Sequence, residues 1–189
     1  MNNSALSVGL ILSLLTCGLT SAEPVKELMN FQKEKEIKMA IVDDGVMGGL
    51  SKGSMKRTEN GNLLFKGKLS LENNGGFSSL RIDVGQWDLK EFKGLELKVK
   101  GDGRTYNLRF ATDEKFRRYP VSFQSGFETK KGEWTTVRVP FSALKAGWRG
   151  MDLKTVFDPA KIQQVGIILA DKNPGDFSLE VESISGYKN

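Results

Sequence analysis

Apolar and polar residues alternate with a period of two over much of this chain. Gly94 to Lys100 is the clearest case. Leu95, Leu97 and Val99 fall on one side and Glu96, Lys98 and Lys100 on the other, as in a strand with one buried and one wet face. Gly101-Asp102-Gly103 then turns the chain, and Tyr106, Leu108 and Phe110 share a face opposite Asn107 and Arg109, predicting a second strand paired with the first. Asn62 to Leu71 alternates with interruptions. Asn73-Asn74-Gly75-Gly76 joins it to a strand starting at Phe77, which predicts a hairpin. Val121 and Phe123 mark another strand, and Val137, Val139 and Phe141 a further one whose Pro140 suits a sheet edge. Ala143 to Phe157 reads as a long loop, and Asp158-Pro159-Ala160-Lys161-Ile162 as a helical turn with Asp at the N-cap and Pro at the first position. Val165 to Leu169 is almost continuously apolar, predicting a central strand covered on both faces, and Phe177, Leu179 and Val181 alternate in a last strand. Val25 to Lys38, with Leu28, Met29 and Phe31 among charges, reads as a short strand or arm. Many short strands with frequent turns predict an all-β sandwich.

Two glycine pairs interrupt the alternation. Asp43-Asp44-Gly45-Val46-Met47-Gly48-Gly49-Leu50-Ser51 opens the stretch, and Asn73-Asn74-Gly75-Gly76-Phe77-Ser78-Ser79-Leu80-Arg81 closes it. Paired Gly beside Asp or Asn supplies positive φ and close backbone approach, so both sites are read as fixed turns needed for folding. In order and spacing these residues resemble the complex I intermediate-associated protein 30 family. The resemblance continues through Gly94-Leu95-Glu96-Leu97, Gly101 to Tyr106, Trp134, Val139-Pro140-Phe141, Arg149-Gly150 and Phe177 to Glu180. It implies a galactose-binding-domain-like jelly roll, a single domain of two face-to-face antiparallel sheets with binding loops at its ends. It also implies an assembly chaperone of NADH:ubiquinone oxidoreductase.

Composition narrows the chemistry. A 39% hydrophobic and 27% charged chain is ordinary for one globular domain, and the net charge of +5 comes from bases interleaved with acids. Lys115, Arg117 and Arg118 are the densest basic group, but no recognition-helix or finger pattern accompanies them, so no nucleic-acid partner is expected. The chain has no histidine and a single cysteine, Cys17. That removes His-dependent triads, and no cofactor is expected. Val8 to Leu19 followed by Thr20-Ser21-Ala22 reads as a signal peptide over residues 1–22, leaving a domain over 23–189 without a membrane span, exported to the periplasm or medium. A retained anchor and a lipid on Cys17 are the alternatives.

Asp43 and Asp44 are adjacent carboxylates in the motif. One is expected to make an Asx-type turn holding the glycine loop; an acid-dependent glycosidase using Asp44 and a distant Glu is the enzyme alternative. Calcium at Asp43, Asp44 or Asp171 lacks EF-hand spacing, and Gly45, Gly48 and Gly49 lack the lysine of a phosphate loop. The binding candidates are Asp44, Ser51, Asn73, Asn74, Arg81, Arg109, Trp148 and Arg149. Gly45, Gly48, Gly49, Gly75, Gly76 and Phe77 are the structural residues of the motif. Asp44 and Arg81 are expected to pair across the motif and fix its loop. Arg81 and Arg109 either meet a ligand or form a network on one sheet face, and Trp148 beside Arg149 offers a stacking surface. The function expected is non-catalytic binding of a protein partner, for which a membrane complex is one candidate, with carbohydrate binding as the alternative.

Overall fold

A computed structural model describes residues 25–188. The apolar run of Val8 to Leu19, the cleavage pattern of Thr20-Ser21-Ala22 and Cys17 lie outside the described residues. The strands are β1 (Val25–Asn30), β2 (Met39–Asp43), β3 (Lys52–Arg57), β4 (Leu63–Leu69), β5 (Ser78–Trp87), β6 (Gly94–Lys100), β7 (Thr105–Ala111) and β8 (Lys115–Phe116). There follow β9 (Tyr119–Pro120), β10 (Ser122–Glu128), β11 (Trp134–Pro140), β12 (Lys145–Trp148), β13 (Met151–Leu153), β14 (Ile162–Leu169) and β15 (Gly175–Tyr187). Helical structure among the described residues is limited to single 3-10 turns, and no helix there is long and apolar enough to cross a membrane.

Apart from β8 and β9, which pair only with each other, the strands form two antiparallel sheets. The first runs β11-β6-β15-β4-β3, with β1 also pairing β15; the second runs β13-β12-β10-β7-β14-β5-β2. Leu95, Leu97 and Val99 of β6, Phe65 of β4 and Leu179 of β15 meet Leu80 of β5, Leu108 and Phe110 of β7 and Val165 and Ile167 of β14 in one core. These side chains are essentially inaccessible to water, and burial of each contributes about 1.5–3 kcal/mol. The jelly-roll sandwich expected from the sequence is the architecture found.

Three expected connections differ. β4 and β5 form no hairpin, since β4 pairs with β3 and β15 in the first sheet while β5 pairs with β2 and β14 in the second. β6 and β7 likewise lie in different sheets. Alternation fixes which face is buried but not which strand lies alongside, and these turns carry the chain across the sandwich. Ala143 to Phe157 is not an open loop, because β12 and β13 within it form a hairpin that extends the second sheet. The helical turn at Pro159–Lys161 is present, with the Asp158 carboxylate accepting from the Ala160 N–H at 3.0 Å. β14 is central as expected, but its outward residue Ile168 is only half-buried because that face lines a groove.

Arg104 anchors the opposite turn. Its guanidinium forks onto Asp171, with Nη2 2.7 Å from Oδ1 and Nε 2.9 Å from Oδ2, and also donates to the carbonyls of Asn173 and Asp176. Asp102 accepts from the Tyr106 hydroxyl at 3.0 Å and the Ser178 N–H at 2.8 Å. The β6–β7 turn and the β14–β15 turn are thereby joined, and both oxygens of Asp171 are engaged by the Arg104 guanidinium.

Candidate functional site

The motif is a clamp between two crossover segments. The chain leaves the second sheet after β2 and enters the first at β3, then returns from β4 to β5. Asp44, fully buried, sits between the two crossings. Its carboxylate accepts from the Ser51 N–H at 2.9 Å and hydroxyl at 2.5 Å in one segment, and from the Gly76 N–H at 2.6 Å and the Phe77 N–H at 3.2 Å in the other. Asp43 repeats the arrangement one residue earlier, accepting from the Gly53 N–H at 2.9 Å and the Ser78 hydroxyl at 2.6 Å. Burial raises the Asp44 pKa, but the bonds from Ser51, Gly76 and Phe77 outweigh it and hold the group below the ordinary carboxylate value.

The glycines follow from this. A Cβ on Gly49 would lie 2.4 Å from the Asp44 Cγ, and one on Gly75 would lie 2.6 Å from its Oδ2, so neither position admits a side chain. Gly48 and Gly76 have φ of 89° and 129°, where L residues are strained. Gly45 differs from the expectation, with nothing within 4 Å of the Cβ position and no positive φ.

Asp44 does not pair with Arg81. Its lone pairs are taken by nearer donors, and Asp44 and Ser51 face the interior rather than a partner. Asn73 and Asn74 are exposed with φ of 56° and 58°, and Asn73 donates to the Gly48 carbonyl at 3.2 Å; neither lines the groove.

That groove, about 970 Å³, lies over the outward face of the second sheet. A row of residues crosses its floor in register, from Ala40 on β2 through Arg81 on β5, Gly166 on β14 and Arg109 on β7 to Gln124 on β10. One wall is the motif loop, with Val46 and Met47 at its tip and Phe77 below. The opposite wall is made of two hairpins. Trp148 on β12 packs against Phe116 of β8 at 5.5 Å and Tyr119 of β9 at 5.8 Å, and Arg149 lies over Trp148 at 5.2 Å. The stacking surface expected at Trp148 and Arg149 is therefore largely occupied within the protein. Sequence reasoning missed Val46, Met47, Tyr119 and Met151 as wall residues; the available signal was apolar side chains in or directly beside turns.

Arg109 donates to the Ser122 hydroxyl at 2.8 Å and to Gln164 Oε1 at 3.2 Å. Burial, and then the charge of Arg81, lower its pKa to about 10. The Arg81 Nε is buried without a hydrogen-bond partner, and burial lowers that pKa too. Among the described residues, the network reading thus describes Arg109 in part, while the Arg81 side chain makes no hydrogen bond.

The family profile described as complex I intermediate-associated protein 30 matches residues 29–181. The chain is 27% identical over 186 positions to the mouse (Mus musculus) mitochondrial protein of that name, covering 87% of this chain and 57% of the relative. It is 25% identical over 162 positions to the probable mitochondrial counterpart in Caenorhabditis elegans, covering 75% and 47%. The chain thus spans about half the length of these curated relatives. Both are named as mitochondrial, which overturns the expectation of export to a periplasm or the medium. Among solved structures, the family 11 carbohydrate-binding module of a Clostridium thermocellum cellulosomal cellulase superposes with a TM-score of 0.65. At 14% identity over 89% of this chain and 97% of that one, it is a likeness of fold.

Proposed function

The chain belongs to the complex I intermediate-associated protein 30 family, and from that premise we propose that it is a non-catalytic binding protein of the assembly-factor type, holding a protein partner in the groove over the second sheet. The observation that carries this reading is the exposure of apolar side chains around one groove: Val46 is 75% exposed, Met47 58% and Met151 49%. Clustered apolar exposure beside a polar floor is the anatomy of a protein-binding surface. The names of the relatives suggest that the partner belongs to an intermediate of complex I assembly. Asp44, the motif's candidate acid, has its oxygens committed to the fold, which supports a scaffold role over a catalytic one. The test is affinity capture from detergent-solubilised membranes with wild-type protein and a Val46→Asp/Met47→Asp variant, read by mass spectrometry. Subunits of NADH:ubiquinone oxidoreductase should be retained by the first and lost by the second; retention by both, or by neither, would reject the groove as their site.

Carbohydrate binding is the second reading, favoured by the polar floor of Gln124, Gln164 and Ser122 beside Trp148. Occupation of the Trp148 ring by Phe116, Tyr119 and Arg149 weighs against it, because sugar stacking needs a free aromatic face.

A further inference from the structure

Arg81 and Arg109 are both register partners of Gly166, from the strands on either side of it. Two strand spacings place their Cα atoms roughly 10 Å apart. Gly166 leaves the space between them open, and it must be glycine, because a Cβ there would lie 2.4 Å from the Leu80 carbonyl oxygen. The two guanidiniums therefore share one floor, and at their own register β14 puts no side chain between them. Two carboxylates line the groove, Asp83 and Asp152. Asp83 is held by Lys38 at 2.9 Å, and among the described residues neither acid forms an ion pair or hydrogen bond with Arg81 or Arg109.

Two like charges half-buried side by side, one with its Nε unbonded, are unfavourable without a counter-charge. Arg149, which lines the groove, and Arg117 and Arg118, in the turn beside the lining residue Tyr119, add to the imbalance. Arg117 and Arg118 form the turn between β8 and β9 with φ of 47° and 72°, and Arg149 forms the turn between β12 and β13 with φ of 48°. Such turns favour Asn or Gly, so arginine there is adopted against backbone preference.

We propose that the groove binds an acidic peptide segment of its partner, with an Asp or Glu carboxylate seated over Gly166 between Arg81 and Arg109. This rests on the reading of the groove as a protein-binding site and specifies what the partner presents there. A planar guanidinium matches a carboxylate through two parallel N–H donors, and Arg81, which lines the groove and whose side chain makes no hydrogen bond among the described residues, has its terminal donors to give. The apolar walls then take the residues flanking the acid, and the basic rim favours approach of an acidic chain.

The test is selection of a random phage-displayed peptide library on the immobilised full chain, in parallel with Arg81→Gln and Gln164→Glu. Gln164→Glu keeps the shape of the floor and supplies an internal carboxylate to Arg109, so it cancels one of the two charges and occupies the place of the ligand's acid while preserving the fold. Peptides selected on wild type should carry Asp or Glu at one position enriched about tenfold or more, the worth of a charged hydrogen-bonded pair, and both variants should lose that enrichment. Gln164→Glu should do so with an undiminished melting temperature. Peptides selected without an acidic preference, or with one that survives in Gln164→Glu, would overturn this inference and leave the protein-binding groove standing. Selection of no peptide, with binding of acidic oligosaccharides instead, would overturn both.

Discussion

The Ser51 hydroxyl lies 2.5 Å from Oδ2 of Asp44, and this buried contact ties the β2–β3 crossing to the carboxylate that also holds the β4–β5 crossing. Asp44→Asn replaces an acceptor of several donors by a group with one acceptor oxygen and an NH2. It should lower unfolding stability by about 3 kcal/mol, and Ser51→Ala by about 1–2 kcal/mol, with the double variant losing less than the sum. Urea denaturation of the four proteins checks this. The folded-state pKa of Asp44 is depressed, so its contribution is complete above the unfolded carboxylate value near 4 and is lost as pH falls below it. The stability difference between wild type and Asp44→Asn should shrink on acidification through that range and stay level above it.

Alanine at the motif glycines should sort by geometry. Gly49→Ala and Gly75→Ala drive a methyl into the Asp44 carboxylate and should each lower stability by about 2 kcal/mol or more. Gly48→Ala, at φ 89°, should lose about 1 kcal/mol, while Gly45→Ala should stay within about 0.5 kcal/mol of wild type. Thermal melts that failed to separate Gly45 from Gly49 would contradict the clamp.

Breaking the Arg104–Asp171 fork strands a largely buried charge. Arg104→Ala should lower stability by about 3 kcal/mol, and Arg104→Lys should recover little of it, because an ammonium cannot reach both carboxylate oxygens and the neighbouring carbonyls together. Denaturation of both variants in low and high salt provides the check, with the loss changing little as salt rises.

Arg81→Gln should leave the melting temperature unchanged or raise it, although the residue is half-buried. Burial and the Arg81 charge lower the Arg109 pKa to about 10, and a base with a lowered folded pKa carries its full destabilisation at every pH below that value. Removing Arg81 relieves part of this at neutral pH. A large fall in melting temperature would show that Arg81 is needed by the fold.

Arg117→Asn with Arg118→Gly installs the residues that a two-residue hairpin turn with positive φ prefers. The pair should gain about 1 kcal/mol in thermal denaturation while weakening partner capture in salt-titrated pull-downs.

Much of the fold was legible because period-two alternation states which side chains are buried: Leu95, Leu97 and Val99, and Tyr106, Leu108 and Phe110, all lie in the core. Pairing was not legible. β6 and β7 are joined by a four-residue turn that would suit a hairpin, yet the chain uses it to change sheets, and β4 and β5 also lie in different sheets. The importance of the motif was readable, but its role was misplaced. Asp44 is a candidate contact by charge alone, and only the fold reveals the N–H groups of Gly76 and Phe77, more than thirty residues away, that turn it inward. The groove could be glimpsed in Arg81 and Arg109, polar residues alternating with core positions. Its walls come from segments near residues 46, 77, 119 and 148, and no local pattern announces that they meet.

The placement of β15 bears on how the molecule is made. Residues 175–187 pair with β4 and β1 along one side and with β6 along the other, so three strands of the first sheet share a single neighbour that emerges last among them. As the nascent chain leaves the ribosome, β1 and β6 have no partner across that gap until β15 clears the exit tunnel. For that interval the apolar sides of Phe65, Leu95 and Leu97 face solvent or a holding factor. Translational pausing just upstream of codon 175 should therefore prolong an aggregation-prone state, whereas pausing in the β12–β13 hairpin at the rim of the second sheet should matter little by comparison.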